Sequence, residues 1–200
     1  MKLLLFSDLH VNHRLGQQLV ARSAAVDVVV GAGDFASVRQ GLAGTIAILK
    51  AIKKPVVLVP GNNETLDELV EACRGWSSAH VLHGSGVEIL GQQFYGIGGG
   101  IPVTPFGAWS YDFTEEQAVA LLQDCPPGCV LVSHSPPKGA VDISSSGESL
   151  GSQSVHDAIV DKQPKLVVCG HIHASIGQTA LIGDTTVINA GPAGMVWELN

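Results

Sequence analysis

A chain of 200 residues with 46% apolar and 14% charged side chains can bury one stable core without cross-links, which excludes an intrinsically disordered protein. Its formal net charge of −7 excludes a polynucleotide binder that works mainly through phosphate contacts, since that needs a basic face. Cys73, Cys125, Cys129 and Cys169 form no C-x-x-C pair and read as reduced thiols.

The opening Met1-Lys2-Leu3-Leu4-Leu5-Phe6 run turns polar at Ser7-Asp8, too soon for the core of a signal peptide, and no apolar stretch reaches membrane-spanning length. The expectation is a cytoplasmic protein with no membrane partner. Residues 2–7 read as a buried strand delivering Ser7-Asp8-Leu9-His10 at its carboxyl end, followed by a helix over about 15–25. Val26 to Val30 forms a second strand ending in Gly31-Ala32-Gly33-Asp34, so the chain begins as β-α-β.

Leu42, Ile46, Leu49 and Ile52 recur at helical spacing, which predicts a helix from Ser37, as N-cap, to Lys53. Val56 to Val59 is the third strand, ending in Pro60-Gly61-Asn62-Asn63-Glu64, with a helix over 65–73 after it. Short runs at 81–82, 87–90 and 94–97 between glycines predict antiparallel hairpins. The stretch 98–113 is rich in Gly, Pro and aromatic residues and leads into a helix over 114–123. Its aromatics suit either a wall over a site or packing against a sheet or a second subunit, so a homo-oligomer is compatible with the sequence.

Val130-Leu131-Val132 leads to Ser133-His134, then to a Gly/Ser-rich segment over 138–152 that reads as a flexible surface loop. After a helix over 155–161, the apolar run Leu166 to Cys169 stops at Gly170-His171-Ile172-His173. Histidines two apart on an extended chain share a face. Three further β segments follow, at 180–182, 186–189 and 195–199. With no repeat, linker or charge block, residues 1–200 are expected to form one domain.

Asp8, His10, Asp34, Asn62, His134, His171 and His173 all follow predicted strands. In an open α/β sheet, ligands gather beyond the carboxyl ends of strands. Turn capping explains Asp8, Asp34 or Asn62 singly, but not four histidines at equivalent places. Two carboxylates, four imidazoles and an amide exceed one tetrahedral metal. They suit two divalent transition-metal ions drawn from Mn, Fe, Zn, Ni or Co, with Mn foremost. Such pairs clamp both the attacking and leaving oxygens of a displacement at phosphorus. His80, His83 and His156 fit no motif and read as surface or turn residues.

The ordered elements Asp8-Leu9-His10, Gly33-Asp34, Gly61-Asn62-Asn63-Glu64, Ser133-His134 and Gly170-His171-Ile172-His173 resemble the signature of the calcineurin-like metallophosphoesterases. Ser135-Pro136-Pro137-Lys138-Gly139 and Asn189-Ala190-Gly191-Pro192 resemble their small class III branch, which includes the brain MPPED phosphodiesterases. The resemblance implies a four-layer α/β/β/α sandwich with two mixed β-sheets. It also implies one ion held by Asp8, His10, Asp34 and His173 and a second by Asp34, Asn62, His134 and His171. A hydroxide between the ions would attack the phosphorus of a small phosphoester, a nucleotide among the candidates.

One departure is chemical. The family has a histidine after the metal-binding asparagine, where it serves as the acid for the leaving group, and here that position is Asn63. An amide donates a hydrogen bond but delivers no proton near neutral pH, and general acid help is worth roughly 10²–10⁴-fold. The expectation is a phosphodiesterase favouring good leaving groups, with Asn63 and Glu64 at the reacting end and His13, three residues past His10, as candidate replacement acid. The alternative is a binding or scaffold protein on the same fold with weakened catalysis. The complete ligand set favours the enzyme.

Overall fold

The computed structural model describes residues 1–199; Asn200, the last position of the expected domain, lies outside the described residues. The described residues form eleven strands and five α-helices. The first half contains β1 (Lys2–Phe6), α1 (His13–Ser23), β2 (Val28–Gly31), α2 (Leu42–Leu49), β3 (Val56–Leu58), α3 (Leu66–Cys73) and β4 (Ala79–Val81). The second contains β5 (Ser85–Ile89), β6 (Gln92–Ile97), α4 (Glu115–Leu122), β7 (Val130–Ser133), α5 (Gln153–Lys162) and β8 (Leu166–Cys169). A 3-10 turn at His173–Ser175 precedes β9 (Thr179–Ile182), β10 (Thr185–Asn189) and β11 (Met195–Glu198).

Two mixed sheets result. The first has the order β11-β1-β2-β3-β4, parallel except for β11, which runs against β1. The second has the order β5-β6-β7-β8-β10-β9, with four parallel strands between antiparallel edges. Strand side chains alternate between faces, and here both faces are covered. Leu3, Leu5, Val28 and Val30 meet Val130, Val132, Leu166 and Val168 between the sheets. Leu4, Phe6 and Val29 face outward onto Leu19, Ile46, Leu49 and Leu69 from the helices α1 to α3. On the far side, Leu131 and Val167 pack under Ala118, Leu122, Val155 and Ile159 of α4 and α5. Burial on both faces is why these strands read as unbroken apolar runs, each such side chain contributing about 1.5–3 kcal/mol. The layers are helix, sheet, sheet, helix, as the sequence predicts.

Three local expectations are corrected. The helix predicted from Ser37 to Lys53 is only α2, because Val38 and Arg39 take left-handed φ of 46° and 64° and Ser37 pairs back onto Gln40. The run at 81–82 belongs to no hairpin: β4 lies parallel to β3 in the first sheet, and β5–β6 is the hairpin of this region. Third, residues 138–152 form a tied loop. Asp142 is fully buried, and its Oδ2 accepts from Gly139 N at 3.0 Å, Gly151 N at 3.1 Å and the Ser149 hydroxyl. A sequence of small polar residues reads as mobile unless one carboxylate gathers its donors, as here.

Candidate metal centre

Both parallel blocks aim their carboxyl ends at one edge of the sandwich. Asp8 and His10 follow β1, Asp34 follows β2, Asn62 follows β3, His134 follows β7, and His171 and His173 follow β8. Asp8, His10, Asp34 and His171 adopt left-handed φ between 42° and 66°, a conformation costly for residues other than Gly and concentrated at functional sites. Extended geometry at His171 is therefore overturned, and with it the shared face of the two histidines: His171 turns back and His173 opens a 3-10 turn. Two glycines admit the close approaches. A Cβ on Gly61 would collide with the Asp34 carboxylate, and one on Gly170 with that of Asp8.

The ligand-type atoms form two groups. Those of Asp8, His10 and His173 lie within 4.8 Å of one another, as do those of Asp34, His134 and His171. Asp34 faces both, with Oδ2 3.5 Å from His10 Nε2 and Oδ1 3.5 Å from His134 Nε2. Asn62 Oδ1 lies 3.2 Å from His134 Nε2 and 3.1 Å from His171 Nδ1, while its Nδ2 donates to Ser110 Oγ at 2.9 Å. All seven sequence-predicted ligands are thus brought together.

Backbone carbonyls set the tautomers. His134 Nδ1 donates to Ala32 O at 2.7 Å and His10 Nδ1 donates to Ala36 O at 3.2 Å, which leaves Nε2 of each ring as the free lone pair for a metal. His10 Nε2 and His173 Nε2 point at one another across 3.1 Å. Asp8 and Asp34 are 3% and 2% exposed, and their ion-pair partners are imidazoles alone. Buried carboxylates with converging lone pairs and no Lys or Arg beside them are a donor set that fits divalent transition metals.

Burial opposes ionisation of Asp8, yet the His173 hydrogen bond and the charge of His134 hold its carboxyl down at about 2. Burial raises Asp34 above the usual carboxylate range, against the pull of His134. His171 is pushed down to about 3 by burial and by the neighbouring His134, so it stays neutral and able to ligate.

The profile of the calcineurin-like phosphoesterase superfamily domain matches residues 1–199. The chain belongs to that superfamily. No curated protein matches the sequence. Among solved structures, a Thermus thermophilus protein superposes with a TM-score of 0.73 at 17% identity, covering 96% of this chain and 90% of its own. A novel archaeal phosphodiesterase gives 0.57 at 18% identity, covering 96% and 84%. A dimetal phosphatase from Danio rerio gives 0.61 at 14%, covering 94% and 86%. At these identities the likeness is one of fold.

Within this phosphoesterase domain, Asn63 is engaged at both ends of its amide. Nδ2 donates to Asp34 Oδ2 at 2.7 Å, and Oδ1 accepts from Val38 N at 2.6 Å. Glu64 is fully buried and gathers the backbone N–H groups of Asp34, Ala36 and Gly61 at 2.7–2.9 Å and that of Phe35 at 3.3 Å. Burial and repulsion by Asp34 push its carboxyl up to about 7. Its role is to lock the Asp34 turn. His13 is not brought to the group: it opens α1, exposed, with its ring against Gly44 of α2. His83, expected at the surface, is half-buried beside Tyr111 and Phe113, and its Nδ1 accepts from Gly98 N at 3.0 Å.

Sequence reasoning missed the supports. Ser7 Oγ donates to Asp8 Oδ2 and accepts from Gly191 N. Asn189 Nδ2 donates to the carbonyls of Gly170 and Ile172 at 3.2 and 3.0 Å, fixing the turn that carries both histidines. Ser110 and Thr104 converge on Asp112, at 2.7 and 2.6 Å, and so tether the aromatic loop to Asn62. Only the adjacency of Ser7 to Asp8, and the Asn189 to Pro192 segment, offered a signal in the sequence.

Proposed function

We propose that this chain is a metal-dependent phosphodiesterase acting on small phosphate esters as a single domain over residues 1–200. In this reading, Asp8, His10, Asp34 and His173 hold one divalent transition-metal ion, and Asp34, Asn62, His134 and His171 hold a second. The observation that carries it is the Asp34 carboxylate, whose two oxygens face two separate imidazole groups. The ions, when bound, supply positive charge for the phosphoryl oxygens and an activated water.

The chain's own residues do the rest. Carbonyls of Ala32 and Ala36 keep His134 and His10 in the ligating tautomer. Asn63 and Glu64 hold Asp34 in its left-handed turn. Because the Asn63 amide is committed to Asp34 and Val38, nothing at that position protonates a leaving group, which favours diesters whose alcohols leave unaided. The same commitment is what supports the alternative, a binding protein with weakened catalysis.

Reconstitution with Mn, metal analysis, and hydrolysis of bis-p-nitrophenyl phosphate test the reading. About two ions per chain, with turnover abolished in Asp34→Asn, is the expected result. Turnover no greater than that of Asp34→Asn across Mn, Fe, Zn, Ni and Co leaves the binding protein.

A further inference from the structure

The candidate centre forms the floor of a cleft of about 740 Å³ whose walls are of another chemistry. One wall is Ile101, Val103, Phe106 and Trp109; the other is Leu150 with Ile172. Phe106 and Trp109 stack with ring centroids 5.6 Å apart and planes 15° from parallel, leaving no room for a third ring between them and one broad aromatic surface. Val103, Phe106 and Leu150 are 58%, 51% and 47% exposed, so apolar side chains stand in water at the mouth. Apolar surface gathered at a concave site marks what it binds.

Of the hydroxyl and amide side chains in these walls, Ser145 alone stands exposed without a hydrogen-bond partner among the described residues; the others are engaged. Thr104 Oγ1 donates to Asp112, the Asn63 amide serves Asp34 and Val38, and Ser144 Oγ pairs with Ser146 Oγ at 2.8 Å. Neither lysine nor arginine lines the cleft among the described residues. A nucleobase brings several donors and acceptors on its edge, and in contact with these walls they lose water with one free hydroxyl, that of Ser145, to pair with, a cost of about 1–3 kcal/mol for each group left unpaired. The cation behind this wall, Arg39, is held on Glu68 and on the Trp109 carbonyl, so a second phosphate would meet no uncommitted cation in the lining. A hydrocarbon or plain aryl group suffers neither penalty.

Resting on the phosphodiesterase reading, we infer that the substrate is a monoanionic phosphodiester whose ester group is uncharged and apolar, seated against the Phe106–Trp109 surface with its phosphate over the floor. Nucleotides are discriminated against by the wall, and the centre itself plays no part in that choice.

Calorimetry on the Mn-reconstituted protein with diphenyl phosphate, dimethyl phosphate and adenosine 3′,5′-cyclic monophosphate tests this. Diphenyl phosphate is expected to bind on the order of tenfold or more tightly than either of the others, the gain available from burying a phenyl ring. Trp109→Ala and Phe106→Ala should each remove most of that preference while dimethyl phosphate binds as before. Equal affinity for diphenyl and dimethyl phosphate, tighter binding of the cyclic nucleotide, or a preference intact in both variants overturns the inference. Calorimetry needs no turnover. A protein that shows the preference but hydrolyses no diester with any metal overturns the catalytic reading alone.

Discussion

Asp34 and Asp142 are both buried carboxylates that collect backbone and side-chain donors beside one cleft, yet they sit in different kinds of structure. Asp34 belongs to a floor on which every proposed ligand lies at most four residues past the end of a parallel strand. Asp142 belongs to a wall made of loop, held by its own hydrogen bonds, by Ala140 and Val141 packed into the core, and by Ser175 Oγ donating to Ile143 O. The floor inherits its geometry from two sheets with buried faces, so its positions are over-determined. The wall takes its shape from loop contacts instead of strand register, and Ser110 ties it to the floor at Asn62. The proposed reading thereby assigns chemistry and selectivity to separate parts of the fold.

Substitutions that keep to one part sharpen this division. Asp34→Asn should cost more activity than the roughly 10–100-fold typical of changes around metal ligands, with unaltered circular dichroism; a variant retaining activity breaks the picture of the floor. Chelation comes next. Each ion present at 100 times its dissociation constant stabilises by about 2.7 kcal/mol, so removing both should lower Tm by about 10–20 °C, 1 kcal/mol shifting a domain of this size by about 2–4 °C. Excess Mn should restore it, and a Tm indifferent to chelator removes the centre from the stability of the fold.

Glu64→Gln places an amide NH₂ where one carboxylate oxygen accepted backbone N–H groups. It should cost about 1–3 kcal/mol, the penalty of leaving a buried donor unpaired, and show in denaturant melts together with weakened metal uptake. The smallest effect on turnover is expected in the wall. Asp142→Ala should destabilise by about 1–3 kcal/mol, because buried donors lose their acceptor, speed protease nicking between 143 and 148, and raise KM with kcat nearly unchanged; Asp142→Asn, which keeps an acceptor, should do less. A fall in kcat as large as that of Asp34→Asn joins floor and wall into one unit.

The floor was also the legible part. Apolar runs such as Val28 to Val30 and Leu166 to Cys169 stop where polar residues begin, and that edge is visible in one dimension because burial forces it. Which face His171 presents was not legible, since its φ of 66° is imposed by Asp8, whose carboxylate accepts the His171 N–H, and by the close approach at Gly170. The start of α2 was misread for a related reason. Helical periodicity from Leu42 onward is real, but the left-handed pair Val38–Arg39 is held by Asn63, twenty-five positions from Val38 in the chain. The wall is hardest to read: Gly, Ser and Pro around Asp142 and Asp112 look mobile until their few carboxylates are seen to be buried or shared.

His10 and His173 are 3.1 Å apart in space and 163 positions apart along the chain. A ribosome adding roughly 5–20 residues per second therefore leaves about ten to thirty seconds between the birth of one imidazole and that of the other. Throughout that interval Asp8 and His10 lack the His173 turn that completes their surroundings, and β1 lacks its antiparallel neighbour, since Lys2 aligns with Glu198. The first half of the chain to emerge thus carries an unpaired, strongly apolar strand edge, an aggregation hazard that only the last strand covers.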